Sequence, residues 1–225
     1  MFPIDIDARL QILAGVSLLH SSRLIRWSDE DLRFESIDRD SFESTAFADL
    51  DPHFGRLMRW MLFASGAEFL GKGLCLAHGM DLRTSQKAPN YPPTQLKNDV
   101  ADWIEAVSEG PWKTGSFPVT HFGQLGQLTK GKDGKPAHFE RLVKKTNASA
   151  DEKKLLFASY RLLTMTIRNR DAHAYVPNVR DNHFWMVQDV FMPALNLLVK
   201  WIPNGGGQRL GDWRSTTGQF IQSLR

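Results

Sequence analysis

The chain is 225 residues long, with 28 Lys+Arg against 25 Asp+Glu and one cysteine. At about 150 residues per domain it is one large domain or one domain with an insertion, and it is long enough to bury a core without a disulfide or metal staple. The lone Cys75 excludes a disulfide framework and any zinc site built on several thiolates, and the ordinary composition sets aside collagen-like, disordered and mini-protein classes.

In chain order, helical spacing dominates. Ile6, Leu10, Leu13 and Val16, followed by Leu18, Leu19 and Leu24, trace the apolar face of a first helix. Asp5 and Asp7 precede the apolar run Ile12 to Leu19, where a secretory signal would carry positive charge, so the expected compartment is the cytoplasm. Residues 27–51 are acidic and broken. A second, strongly apolar helix is predicted over Arg56 to His78, with Gly79 as its cap. Glu68 and Lys72 interrupt the longest apolar stretch, Trp60 to Met80, which excludes a bilayer span; no membrane association is expected.

Lys87-Ala-Pro-Asn-Tyr-Pro-Pro93 cannot be helix interior, because proline lacks the amide donor and collides with the preceding turn. A short helix is predicted around Leu96, Val100, Trp103, Ile104 and Val107, and 110–136 is rich in Gly, Lys and Pro. A long helix then runs from Ala150 to Asn169, with Leu155, Leu156, Ser159, Leu162, Leu163, Thr166 and Ile167 as its buried face. Asp151 and Glu152 suit its N-terminal dipole. Asp181 caps a last helix carrying Phe184, Val187, Val190, Phe191, Ala194, Leu195, Leu198 and Trp201, and Pro193 is expected to kink it. The class that follows is all-α: one domain over 1–225, a bundle of four to six helices, with 83–149 as a loop-rich insertion or lid.

Charge is unevenly spread. Residues 1–60 hold eleven acids and seven bases, whereas 111–150 hold seven bases and two acids. Lys130, Lys132, Lys135, Arg141, Lys144 and Lys145 are therefore candidates for contact with a polyanion backbone. A solvated surface is the plainer reading of any one such run.

The most informative string is Thr166-Ile-Arg-Asn-Arg-Asp-Ala-His-Ala-Tyr-Val-Pro177. In one continuous helix the five steps from Arg168 to His173 place them on different faces, while Asn169 and His173 stack at i and i+4. Asn169 can orient the imidazole. Arg168 meets it only where the helix ends or a second chain contributes. Read locally, Arg168 and His173 could equally be a dipole-compensating cation and a helix-end histidine. Asn169 would then be a plain C-cap, Arg170 and Asp171 surface residues, and Tyr175 a core ring with a wet hydroxyl. Glu68 and Lys72 would be an i,i+4 ion pair worth about 0.2–0.5 kcal/mol on an exposed helix or, since the surrounding helix is very apolar, a buried or functional polar pair. No His-x-x-x-His spacing, Walker loop or Gly-x-Ser-x-Gly elbow occurs, so no metal and no cofactor are expected.

Arg168-Asn-Arg-Asp-Ala-His173 resembles the hallmark of the HEPN superfamily (higher eukaryote and prokaryote nucleotide-binding domains): Arg, four to six residues, then His. Glu68-Phe-Leu-Gly-Lys72 is similar to the Glu-x-x-x-Lys of an earlier HEPN helix, and the likeness spans roughly 56–80 and 150–202. The resemblance implies a helical bundle that dimerises with the Arg/His motifs meeting at a shared cleft. It also implies metal-independent endoribonuclease chemistry, of the kind found in toxins and phage-defence effectors. In that reading His173 is the acid/base, Arg168 the phosphate clamp and Asn169 the orienter. Glu68, Lys72, Arg170, Asp171 and Tyr175 play supporting parts, RNA is the substrate, and an antitoxin is a further partner. The alternative is a non-catalytic HEPN module that binds RNA or nucleotide, or mediates assembly.

Overall fold

A computed structural model of the chain describes residues 6–37, 52–80, 82–85, 120–122, 128–131, 136–163 and 186–203. Two compact units divide it: residues 1–80 with 124–225, and residues 81–123. In the second unit the described elements are strands β3 (Arg83–Ser85) and β4 (Thr120–Phe122), paired antiparallel with Thr84 opposite His121.

The first unit is built on α1 (Ile6–Ser21) and α2 (Pro52–Ala77), which run antiparallel in close contact. The buried row of α1 is Ala8, Ile12, Gly15, Val16 and Leu19, while Leu10 and Leu13 are only half-buried. The apolar spacing of the sequence had pointed at a neighbouring row. What turns the helix is glycine, which an apolar count does not register. A Cβ on Gly15 would lie 2.6 Å from the Leu70 amide nitrogen, and one on Gly73 would lie 2.8 Å from that of Ile12. Only residues without a side chain let two helix backbones come this close.

α2 is the central helix. Nearly every residue from Phe63 to Cys75 is buried, Ser65 and the half-buried Phe69 excepted. It ends as expected at Gly79, whose φ of +70° suits glycine. Gly79 donates its amide to the Leu76 carbonyl (2.8 Å) and Met80 to that of Cys75 (3.0 Å), the Schellman pattern that satisfies the last carbonyls.

Between these helices the all-α expectation needs correcting. Ile25–Ser28 (β1) and Arg33–Ser36 (β2) form an antiparallel hairpin inside the stretch read as broken. Its alternation is short but regular: Ile25, Trp27 and Phe34 point inward, Arg26 and Arg33 outward. Trp27 and Phe34 meet edge to face, with centroids 5.0 Å apart. Both edges are closed by side chains. Asn196 donates to the Phe34 carbonyl (2.9 Å) and accepts from its amide (2.7 Å), and the Trp27 amide donates to His20 Nδ1 (3.1 Å). An edge paired in this way cannot recruit another strand.

Two further helices, α3 (His138–Thr146) and α4 (Ala150–Leu163), follow. Residues 138–146, inside the 83–149 stretch expected to be loop-rich, are a helix that packs through Phe139, Leu142 and Val143. α4 begins with a reciprocal capping box: the Ser149 amide donates to Glu152 (2.9 Å) and the Glu152 amide to Ser149 Oγ (3.1 Å). Residues 164–169, where the helix was expected to continue, lie outside the described residues, as does the helix expected around Trp103. The last described segment is a π-helical turn, Val187–Phe191, leading into α5 (Met192–Lys200). The irregularity expected at Pro193 is this widened turn, because a proline ring collides with the carbonyl four residues back. The fold is therefore largely helical, with two small two-stranded sheets.

Candidate functional site

Glu68 and Lys72 lie one turn apart on the most enclosed part of α2 and form an ion pair, Lys72 Nζ donating to Glu68 Oε1. Their side chains are only 10% and 11% exposed. This differs in kind from the exposed i,i+4 pair of the local reading. Taking both charges out of water costs several kcal/mol per ion, and close mutual attraction must offset it.

α4 is fastened beside this pair. Tyr160, fully buried, donates its hydroxyl to the carbonyl of Ala67 (2.7 Å), the residue before Glu68. Gly71 makes the approach feasible, since a Cβ there would lie 3.2 Å from the Tyr160 oxygen and 3.0 Å from Leu128. Phe139 of α3 completes the cluster edge-on to Tyr160, with centroids 4.7 Å apart. Burial raises the Tyr160 phenol well above its usual range, and the nearby Glu68 carboxylate pushes the same way, so the ring stays neutral and donating. Tyr160 did not figure in the predicted buried face of α4. The cue was available: it sits one residue from Ser159, on the side shared with Leu156 and Leu163.

Cys75 lies deeper on the same helix. Burial pushes its thiol up to about 12, with Arg141 pulling slightly the other way. A native thiol so protonated is a packing group, not a nucleophile. The unfolded chain gives up this proton first, so the native state loses stability as pH rises from about 9 toward about 12. The expected outcome at mildly alkaline pH is no reaction with Ellman's reagent in the native protein, and one equivalent of thiol released in concentrated guanidinium.

Of the residues singled out by the sequence, Arg168, Asn169, Arg170, Asp171, His173 and Tyr175 lie outside the described residues, as do Lys132 and Lys135. Glu68 and Lys72 are brought together. Lys130, Arg141, Lys144 and Lys145 are all exposed. Lys145 is committed to a structural contact: its ammonium donates to the His78 carbonyl at the end of α2, complementing that helix terminus. His78 in turn bonds through Nε2 to the Trp201 carbonyl (2.8 Å), so one helix end ties α2, α3 and the end of α5 together. Among the described residues, no three His, Cys, Asp or Glu side chains gather in a way that could hold a metal ion. None of the described helices is long and apolar enough to cross a membrane. No protein-family model, no curated protein and no solved structure matches this chain.

Proposed function

We propose that the chain is a metal-independent endoribonuclease of HEPN type, acting as a dimer and leaving 2′,3′-cyclic phosphate and 5′-hydroxyl ends. The observation that carries this reading is the Glu68–Lys72 pair. The Glu-x-x-x-Lys element is a buried ion pair, and the helix fastened next to it through Tyr160 is the one whose sequence runs on to Arg168 and His173. The Glu-x-x-x-Lys element and the helix that precedes the Arg/His cluster in sequence are thus neighbours, which supports reading the two as parts of one site.

The chemistry asks for these residue types. Metal-free cleavage requires a proton taken from the 2′-hydroxyl and another delivered to the departing 5′-oxygen, and an imidazole can do either near neutral pH. The guanidinium of Arg168, always charged, neutralises the pentacoordinate phosphoryl group with a bidentate fork. Asn169 holds the imidazole in orientation. A toxin or phage-defence role, with an antitoxin as partner, belongs to the same proposal.

The test is cleavage of bulk RNA in the presence of a chelator. Wild type is expected to cut and leave cyclic-phosphate ends, and His173→Ala to lose about 10²–10⁴-fold in rate. Equal cutting by His173→Ala would remove the assignment. RNA binding without any turnover would leave the non-catalytic module in its place.

A further inference from the structure

α3 and α4 are joined by three residues, with Asn147 in the left-handed region at φ 52°, and pack through Phe139 against Tyr160 and Phe157. Each turns a row of cations outward. On α3, Arg141, Lys144 and Lys145 are exposed opposite the buried Phe139, Leu142 and Val143. On α4, Lys154, Ala158 and Arg161 are exposed opposite Leu156, Tyr160 and Leu163, with Asp151 of the first turn at the head of the same row. Residues 138–163 hold six Lys+Arg and three Asp+Glu, an excess equal to the +3 of the whole chain.

Among the described residues, most cations of this face are unpaired, as are the isolated Arg23 and Lys130, whereas the cations of the hairpin strands and of α5 are neutralised. Arg26 and Arg33 are neutralised by Glu35 and Asp31, and Lys200 by Glu152. Arg141, Lys144, Lys154 and Arg161 form no such ion pair with any described carboxylate. Lys145 holds His78, and Lys153 lies over the Phe157 ring, 5.7 Å from its centroid.

We infer that the outward face of the α3–α4 hairpin, through Arg141, Lys144, Lys154 and Arg161, is a track for the phosphate backbone of RNA. This rests on the nuclease reading for the identity of the polyanion. It revises the sequence-based set: Arg141 and Lys144 stay, Lys145 leaves because it holds His78, Lys130 lies off the hairpin, Lys132 and Lys135 fall outside the described residues, and two cations of α4 enter. A protein partner is disfavoured by the surface itself. Protein interfaces centre on aromatic and aliphatic anchors and are depleted in lysine, whereas nucleic-acid interfaces are polar and strongly positive. This face offers alanine between its cations, and the exposed large apolar residue among the described ones, Met61, is on α2. A lipid surface would likewise require apolar side chains to insert. Cations at i,i+3 and i,i+7 suit an evenly charged chain, whose contacts position a strand without reading its sequence.

The test is binding of a short 2′-O-methyl oligoribonucleotide, which cannot be cleaved, followed by fluorescence anisotropy at several salt concentrations. Four contacts to single-stranded RNA predict a slope of log affinity against log salt near −3, and so a loss of roughly 50-fold between about 50 and 200 mM salt. The triple variant Lys144→Gln, Lys154→Gln, Arg161→Gln is expected to flatten that slope by about 2. Arg23→Gln, Arg26→Gln, Arg33→Gln, with the same change in net charge, is expected to leave it nearly as in wild type. Equal slopes for the two triples would overturn the proposal, as would equally tight binding of wild type to a poly-glutamate of matched charge. Binding is read apart from cleavage. A protein that binds on this face but does not cut overturns the nuclease alone; one that cuts while the first triple binds normally overturns the track alone.

Discussion

Gly15→Ala and Gly66→Ala are each expected to lower the unfolding temperature by about 4–8 °C or more, although alanine is the better helix former by about 1 kcal/mol. The added methyl group has nowhere to go. At Gly15 it would lie 2.6 Å from the Leu70 nitrogen and 2.9 Å from the Gly66 carbonyl oxygen; at Gly66 it would lie 2.7 Å from Leu19 Cγ and 2.8 Å from the Leu19 nitrogen. Backbone atoms cannot swing aside as a side-chain end can, so the helices must separate along their whole contact. Overpacking of this kind costs about 1–3 kcal/mol, and more where the neighbours are rigid; a net loss of about 2 kcal/mol or more is expected for each variant. Trimming Leu19 to alanine should not rescue Gly66→Ala, because the Leu19 nitrogen stays in place. Ser65→Ala, exposed on the same helix, should stay within about 0.5 kcal/mol of wild type. Thermal unfolding followed by circular dichroism measures all of these. A stabilised Gly15→Ala would show that the α1–α2 contact is looser than described.

The second large effect concerns the buried pair. Lys72→Met leaves the Glu68 carboxylate without its ammonium in a side-chain environment only about a tenth exposed, and Glu68→Leu strands Lys72 likewise. Each single variant is expected to lose about 3–5 kcal/mol in urea unfolding. The double variant Glu68→Leu, Lys72→Met is expected to recover most of that loss, since apolar residues of similar volume replace both charges at little cost and often with a gain. Strong non-additivity is the signature sought. If the singles cost no more than about 0.5 kcal/mol, the pair is solvated as on an open helix. RNA cleavage by the recovered double variant then separates two roles. Normal activity makes the pair a packing device. A stable protein with lost activity makes it an orienting element for the segment beyond α4.

The helices were legible because periodic burial leaves a direct mark on the chain: α2, α4 and α5 were each found from apolar spacing, and Gly79 from its position after the last apolar turn. The hairpin leaves no such mark, for a physical reason. Its strands are four residues each, too short for alternation to stand out, and Asp29, Glu30 and Asp31 mark only its turn. α3 is hard to read from sequence because Lys144 and Lys145 give its stretch the character of a charge run, whereas Phe139, Leu142 and Val143 carry the helical spacing. The candidate site divides in the same way. Glu68 and Lys72 are recognisable as a pattern, and the apolar helix around them admits a buried pair as well as an exposed one; the neighbours decide between the two.

Local sequence alone determined where α2 stops, why Pro193 disturbs the helix before it, and which six-residue cluster the proposed acid–base and phosphate-binding roles are assigned to. These depend on backbone dihedrals, a missing amide hydrogen and side-chain functional groups, all properties of a residue and its nearest few. Only the tertiary structure decided that α1 presents its glycine face to α2, that Lys145 closes a helix end while Lys154 and Arg161 remain unpaired among the described residues, and that Tyr160 reaches the carbonyl beside Glu68. Those outcomes turn on distances between segments up to about ninety residues apart, set by how closely whole helices can approach; no single stretch of chain encodes them.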